Sequence, residues 1–279
     1  MKIAVLGHKR IPSREGGVEV VVEELTTRMV NRGHDVTCYN RAGRHALDKK
    51  EKIVYVKEFK GVKLKKVLTL DIKGLAAMTS SFFATIKILF SNASVVHYHA
   101  EGPCAWLWII KFFSRKKIIV TIHGLDWQRA KWGGLATKFI KFGEKVAVKY
   151  ADEIIVLSKN NQDYFKEIYN RETEFIPNGV VEKPNRPADM ITDKWNLHKD
   201  EYILYMGRLV PEKGCHYLID AYKRLDTNKK LVIAGGSSDT DEYSHKLKKM
   251  ADGDERIIFT GFVQGRLKHE LYSNAYVYT

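Results

Sequence analysis

The sequence predicts an α/β protein of two consecutive Rossmann-like units, each a doubly wound parallel sheet, with a cleft between them and the second unit incomplete. Three observations predict it. Short β-rich apolar runs alternate with amphipathic helical stretches, as when crossover helices join parallel strands. The alternation breaks off in a Pro- and charge-rich stretch and then begins afresh. The glycine-rich and charged motifs fall just past the carboxyl ends of the strands, where such sheets bind ligands.

In chain order, "KIAVLG" (2–7) is the first strand. A helix near 17–32 follows, with Val18, Val21, Val22, Leu25 and Met29 on one face and Gly33 in place to end it. "DVTCYN" (35–40) is the next strand, and later ones fall at 94–99, 117–123 and 153–158, with helices near 74–90, 103–114, 133–150 and 159–169. "FIPNGV" (175–180) closes the unit, and "VVEKPNRPADMITDKWNLHKDE" reads as a connector. Strands at 202–206, 230–236, 256–263 and "AYVYT" then alternate with helices at 214–226, 242–251 and 265–273. Residues 1–180 thus form a first domain, 181–199 a linker, and 200–279 part of a second. Four strands fall short of the usual sheet of about six.

Apolar content of 44% and charged content of 29% describe a soluble globular protein. No apolar run reaches the roughly 18 residues that cross a bilayer, and the N-terminus is too quickly polar for a signal peptide. Three scattered cysteines imply no disulfide framework, so the expected compartment is the cytoplasm. The net charge of +14 is uneven: residues 1–180 hold 31 Lys and Arg against 18 Asp and Glu, a net +13, and the remaining 99 hold 16 against 15. Such a bias points to an anionic partner. Nucleic acid fits poorly, because no recognisable binding module is present. A nicotinamide dehydrogenase is excluded, because Gly7 is followed by His8, Lys9 and Arg10 rather than by G-x-G-x-x-G, and the second strand ends in "CYNR".

The most informative stretch is "YILYMGRLVPEKG" (202–214). A buried strand runs out at Gly207, Arg208 and Lys213 follow five positions apart, and a helix opens at Gly214. A helix start suits phosphate, Arg208 supplies a planar fork and Lys213 a point charge. The spacing makes a clamp for a diphosphate without a metal.

"YMGRLVPEKG" resembles the G-R-L-x-x-x-K-G signature of retaining glycosyltransferases of family 4, whose fold is GT-B. "IPNGV", "LVIAGG" and "FTGFV" resemble that family's interdomain segment and next two strand-end loops, in the same order, and "GHKRIPSREGGVEVVVEEL" is similar to the N-terminal domain of bacterial polysaccharide enzymes that include rhamnosyltransferases. The resemblance implies that a nucleotide-diphospho-sugar donates a hexose or deoxyhexose, with retention, to a saccharide or polyprenyl-diphosphate-linked acceptor. No cofactor or metal is expected. Arg208 and Lys213 would hold the donor diphosphate and stabilise the leaving group. Gly16, Gly17, Gly207, Gly235, Gly236, Gly261, Phe262 and Val263 would line the donor, and His123 would face the transferred sugar. The family's acidic E-x7-E motif would lie beyond Thr279, so this chain alone is expected to transfer little or no sugar.

Other residues allow a functional and a plain reading. His97 and His99 share a strand face without a clear third metal ligand. His99, Glu101 and Trp127 of "GLDWQRAKWGG" are acceptor-side candidates, though packing explains them as readily. "DTD" (239–241) has the form of a metal–diphosphate site in an otherwise ordinary polar loop. The segments 75–90 and 103–117, apolar with basic flanks, read as core helices or as a patch that meets an anionic membrane. An inactive nucleotide- or surface-binding subunit of a polysaccharide assembly is the alternative to the enzyme.

Overall fold

A computed structural model describes residues 1–13, 16–42, 56–70, 72, 75–128, 133–182, 184–236 and 242–279. The chain forms two compact units, Met1–Gly179 and Val180–Thr279.

The first unit runs β1 (Lys2–Leu6), α1 (Gly17–Asn31), β2 (Asp35–Arg41), β3 (Glu58–Phe59), β4 (Val62–Val67), α2 (Leu75–Leu89), β5 (Val95–His99), α3 (Leu107–Phe113), β6 (Lys117–Ile122), α4 (Gly134–Tyr150), β7 (Glu153–Val156), α5 (Lys159–Tyr169) and β8 (Glu174–Phe175). Its eight strands are ordered β3-β4-β2-β1-β5-β6-β7-β8, all parallel but for the β3–β4 hairpin. Alternate residues of β1 feed opposite faces, as the two-residue period of a strand requires. Ile3 and Val5 pack with Val22, Val36 and Cys38 beneath α1, whereas Ala4 and Leu6 join Val96, Tyr98, Val120, Leu107 and Ala147 on the other side. Burial of these branched and aromatic side chains is what holds the sheet between its helices. Gly33, at φ +82, follows α1, and the N–H groups of Gly33 and His34 satisfy the carbonyls of Val30 and Met29.

The second unit runs α6 (Met190–Trp195), β9 (Tyr202–Met206), α7 (Cys215–Tyr222), β10 (Lys230–Ala234), α8 (Glu242–Met250), β11 (Ile257–Gly261), α9 (Gly265–Asn274) and β12 (Val277–Tyr278). The four strands are parallel in the order β11-β10-β9-β12. Tyr205, Ile219, Leu231, Ile233 and Leu247 fill one face, and Ile191, Leu204, Val232, Ala234 and Leu271 the other.

Four features differ from the sequence reading. The β3–β4 hairpin was unforeseen: it turns through Lys60 and Gly61, both at positive φ, and lacks the Asn-Gly or Asp-Gly dipeptide that marks such turns. The connector 181–199 carries α6, whose Ile191 is buried with Leu197. Its entry is held by Glu270 of α9, which accepts from the N–H groups of Asp189 and Ile191, a partner too remote in sequence to read. The helix expected at 103–114 begins as a 3-10 turn over Gly102–Trp106. That expected at 214–226 opens at Cys215 after a 3-10 turn over Pro211–Lys213, and ends at Tyr222.

Candidate functional site

In the second unit, backbone hydrogen bonds pin three strand-end loops side by side. Gly207 N–H donates to Ala234 O at 3.0 Å, Leu209 N–H to Gly236 O at 3.0 Å, and Gly235 N–H to Gly261 O at 2.9 Å. Gly235 is obligatory there, because a Cβ would lie 1.9 Å from the carbonyl oxygen of Gly207. The loops that follow β9, β10 and β11 therefore bring Gly207, Gly235, Gly236, Gly261 and Phe262 to one edge of the sheet. Phe262 is 67% exposed, whereas the neighbouring Val263 is buried in the core. Arg208 and Lys213 are exposed. Among the described residues no acidic group pairs with either, and no hydrogen bond engages either head group. Gly214, at φ +67, turns the chain into α7. The first turn of α7 is not wholly free for a ligand: His216 N–H points at the Tyr243 hydroxyl at 3.3 Å, and His216 Nδ1 lies 2.6 Å from the same oxygen.

In the first unit, the ends of β1, β5 and β6 gather imidazoles instead. His97 and His99 stack with ring centroids 4.2 Å apart, and His99 and His123 with centroids 5.2 Å apart. His97 Nε2 is bonded to Thr121 Oγ1 at 2.8 Å, and His99 Nδ1 to His123 Nε2 at 2.9 Å. His99 Nε2 is buried without a partner. An N–H there would be an unpaired buried donor, so the proton of neutral His99 belongs on Nδ1, donated to His123 Nε2. His8 donates through Nε2 to Asn40 Oδ1 at 2.9 Å, while Asn40 Nδ2 donates to Ile11 O at 2.8 Å. Burial holds His8 and His97 at about 4, and holds His99 well below the usual imidazole range with His97 adding to the effect. All three are neutral at physiological pH. Gly7, at φ +106, permits this gathering, since a Cβ would lie 2.1 Å from His99 O.

Beneath the loop after β6 lies a buried carboxylate pair. Glu101 is fully buried, and its Oε1 accepts from Asp126 N–H at 3.0 Å. Burial, with the charge of Asp126 adding to it, pushes the Glu101 carboxyl up to about 8. Glu144, also fully buried, accepts from Trp127 Nε1–H at 3.0 Å, from Tyr164 at 2.9 Å and from Tyr169. Lys141 Nζ sits 4.1 Å from the Trp127 ring centroid.

Several sequence expectations change at these positions. His99 and Glu101 are 0% exposed, so neither side chain meets a ligand directly; His99 bonds His123, and Glu101 accepts from the Asp126 N–H. Trp127 is half-buried, with its indole N–H and one ring face occupied within the unit. Gly16 caps α1, where a Cβ would lie 2.0 Å from Glu19 Oε2, whereas a Cβ at Gly17 meets nothing within 4 Å. The 239–241 "DTD" lies outside the described residues, as do residues 129–132 of the loop after His123. Among the described residues no group of three or more His, Cys, Asp or Glu is arranged to hold a metal ion. Sequence reasoning missed Asn40, which ties His8 to the loop at Ile11, and Glu144. A lone carboxylate in an otherwise basic, apolar helix was the available signal for the latter.

Two parallel-sheet units, the second with a cationic strand-end loop, define an α/β protein of the GT-B class. A profile described as Glycosyltransferase Family 4 matches residues 15–183, and one described as Glycosyl transferases group 1 matches residues 187–279. The chain belongs to glycosyltransferase family 4. Two relatives described as uncharacterized glycosyltransferases come from Methanocaldococcus jannaschii. One is 28% identical over 185 residues, covering 61% of this chain and 44% of its own length; the other is 26% identical over 295 residues, covering 99% and 73%. Among solved structures, sucrose-phosphate synthase from Thermosynechococcus elongatus superposes with a TM-score of 0.78 at 21% identity, over 99% of this chain and 74% of its own. Anabaena HepE, solved in complex with UDP and glucose, has a TM-score of 0.71 at 16% identity, over 95% and 70%.

Proposed function

We propose that the chain works as a glycosyltransferase that takes a hexose or deoxyhexose from a nucleotide-diphospho-sugar and places it on a saccharide or polyprenyl-diphosphate-linked saccharide, with retention, in cell-surface polysaccharide synthesis. The observation that carries the reading is the pair Arg208 and Lys213, exposed and without an acidic partner among the described residues, on a loop beside pinned glycine loops. Two cations five residues apart on one strand-end loop can together neutralise a diphosphate, so the reading calls for no metal. Phe262, exposed at the same edge, offers a face for the nucleotide base. Family membership and the UDP and glucose bound by HepE support the donor class. Retention and the polysaccharide role rest on the family resemblance alone.

The chemistry then runs as follows. The bond from the sugar C1 to the diphosphate oxygen breaks, and Arg208 and Lys213 stabilise the charge that builds on the departing diphosphate. The acceptor hydroxyl attacks C1 from the face the diphosphate leaves, and its proton passes to a diphosphate oxygen. No enzyme carboxylate forms a covalent intermediate. His123, bonded through Nε2 to His99 Nδ1 at 2.9 Å, is assigned to the face of the transferred sugar on the family resemblance.

The test is calorimetric titration with UDP, GDP and dTDP, first without metal and then with magnesium. One diphosphate should bind without metal, and the double variant Arg208→Ala, Lys213→Ala should lose it. Binding that is equal in the variant, or absent without magnesium, contradicts the clamp.

A further inference from the structure

Helices α2, α3 and α4 pack side by side over one face of the first sheet. Together they hold six lysines, Lys87, Lys111, Lys138, Lys141, Lys145 and Lys149, and a single carboxylate, Glu144, which is fully buried. Their outer surface therefore carries no exposed carboxylate of its own, and of the six lysines Lys111 is paired with Asp152 Oδ1 just past α4 at 3.3 Å. By contrast α5, in the same unit, exposes Asp163 and Glu167.

The lysines do not stand alone. On α4 the outward residues include Leu135, Lys138, Lys141, Phe142, Lys145 and Lys149, which share one side of the helix, with Lys141 at its edge. Leu135 is 85% exposed and Phe142 51%. On α3, Phe112 and Phe113 are 63% and 69% exposed, and the Phe112 ring meets Tyr150 at the end of α4 with centroids 5.3 Å apart. Lys138 and Lys145 have no ion-pair partner among the described residues. Large apolar side chains left in water beside uncompensated lysines match one environment well: the boundary of an anionic bilayer, where ammonium groups meet head groups and apolar groups enter the acyl layer. A polynucleotide would reward the lysines and gain little from the leucine and phenylalanines. No helix among the described residues is long and apolar enough to cross a membrane, so attachment here is to its surface.

We propose that the α3–α4 face docks the protein on an anionic lipid surface, with the α4 lysines at the head groups and Leu135, Phe112, Phe113 and Phe142 in the interfacial layer. The inference stands on the first unit and is independent of the donor reading.

Co-sedimentation tests it, using vesicles of phosphatidylcholine alone and of phosphatidylcholine mixed with phosphatidylglycerol, at low and high salt, without nucleotide. The protein should bind the mixed vesicles and not the neutral ones, and salt should weaken binding. The variant Lys138→Gln, Lys145→Gln should lose roughly fivefold in partitioning per lysine. Leu135→Ser, Phe142→Ser should also bind less, with an unchanged melting temperature because both sites are exposed. Removing the same charge from α8, by Lys248→Gln, Lys249→Gln, should change nothing. Failure to bind mixed vesicles overturns the proposal, as does an equal loss in the α8 variant. So does a Leu135→Ser, Phe142→Ser variant that binds vesicles like the parent while duplex DNA binds the same face.

Discussion

In the first unit Gly7 brings the end of β1 against the carbonyl of His99; in the second, Gly235 brings the end of β10 against the carbonyl of Gly207. Both sheets thus close their carboxyl edge by a glycine that no larger residue can replace. What they hold there differs. The first unit gathers His8, His97 and His99, buried, neutral and hydrogen-bonded to protein partners. The second sets out Arg208 and Lys213, exposed and without an ion pair among the described residues. Buried imidazoles whose hydrogen bonds are spent on protein partners serve to hold the strand ends and their neighbours in place. Exposed cations on a rigid backbone are suited to phosphate, because they give up little existing interaction on binding it. One architecture therefore presents two kinds of strand-end surface, and burial of the side chains there decides which.

The comparison breaks most severely at its glycines. Gly235→Ala should cost about 3 kcal/mol in urea unfolding, since the new methyl must displace backbone oxygen, and Gly7→Ala at least as much because its φ is also positive. Next comes the charge itself. Arg208→Ala, Lys213→Ala should lower diphosphate affinity roughly 100-fold and leave the melting temperature unchanged, whereas His123→Ala should leave diphosphate affinity unchanged and reduce transfer.

The pH dependence of the first unit sharpens the contrast further. His8 and His97 have folded values of about 4, below the unfolded value near 6.5, so their stabilisation is full above 6.5 and is lost as pH falls toward about 4; burial lowers His99 as well, so it adds in the same direction. Glu101 works in the opposite sense: its folded value of about 8 lies above the unfolded 4.5, so stability is full below 4.5 and is lost as pH rises through 8. Chemical denaturation across pH should therefore show a maximum between these limits. Glu101→Gln keeps an acceptor for Asp126 N–H and should remove the alkaline loss, gaining about 4 kcal/mol at pH 8 and under about 1 kcal/mol at pH 5. The smallest effect is expected at Gly17→Ala, within about 0.5 kcal/mol of the parent, because open space surrounds that Cα.

These contrasts were only partly legible in the sequence. Long helices with a clear 3.6 period, such as α1 and α5, fell where the pattern put them, because a single apolar face and a local cap fix them. The loop that carries Arg208 and Lys213 was legible because strand, glycine, cation and helix start follow one another within 13 residues, 202–214. Elements fixed from afar were not. Helix α6 depends on Glu270, the β3–β4 hairpin on a Lys-Gly turn, and the roles of His99 and Glu101 on burial that strand neighbours impose. The side-by-side placement of Gly207, Gly235 and Gly261 comes from strand order, which spacing along the chain does not contain.

The most direct test of this division of labour is hydrogen exchange of the chain with and without UDP, GDP or dTDP, whichever binds. Protection should appear at residues 207–214, 235–236 and 261–263, disappear in the Arg208→Ala, Lys213→Ala variant, and leave residues 97–99 and 123 unchanged. Protection at the histidine strand ends, with none at the second unit's loops, would contradict the account.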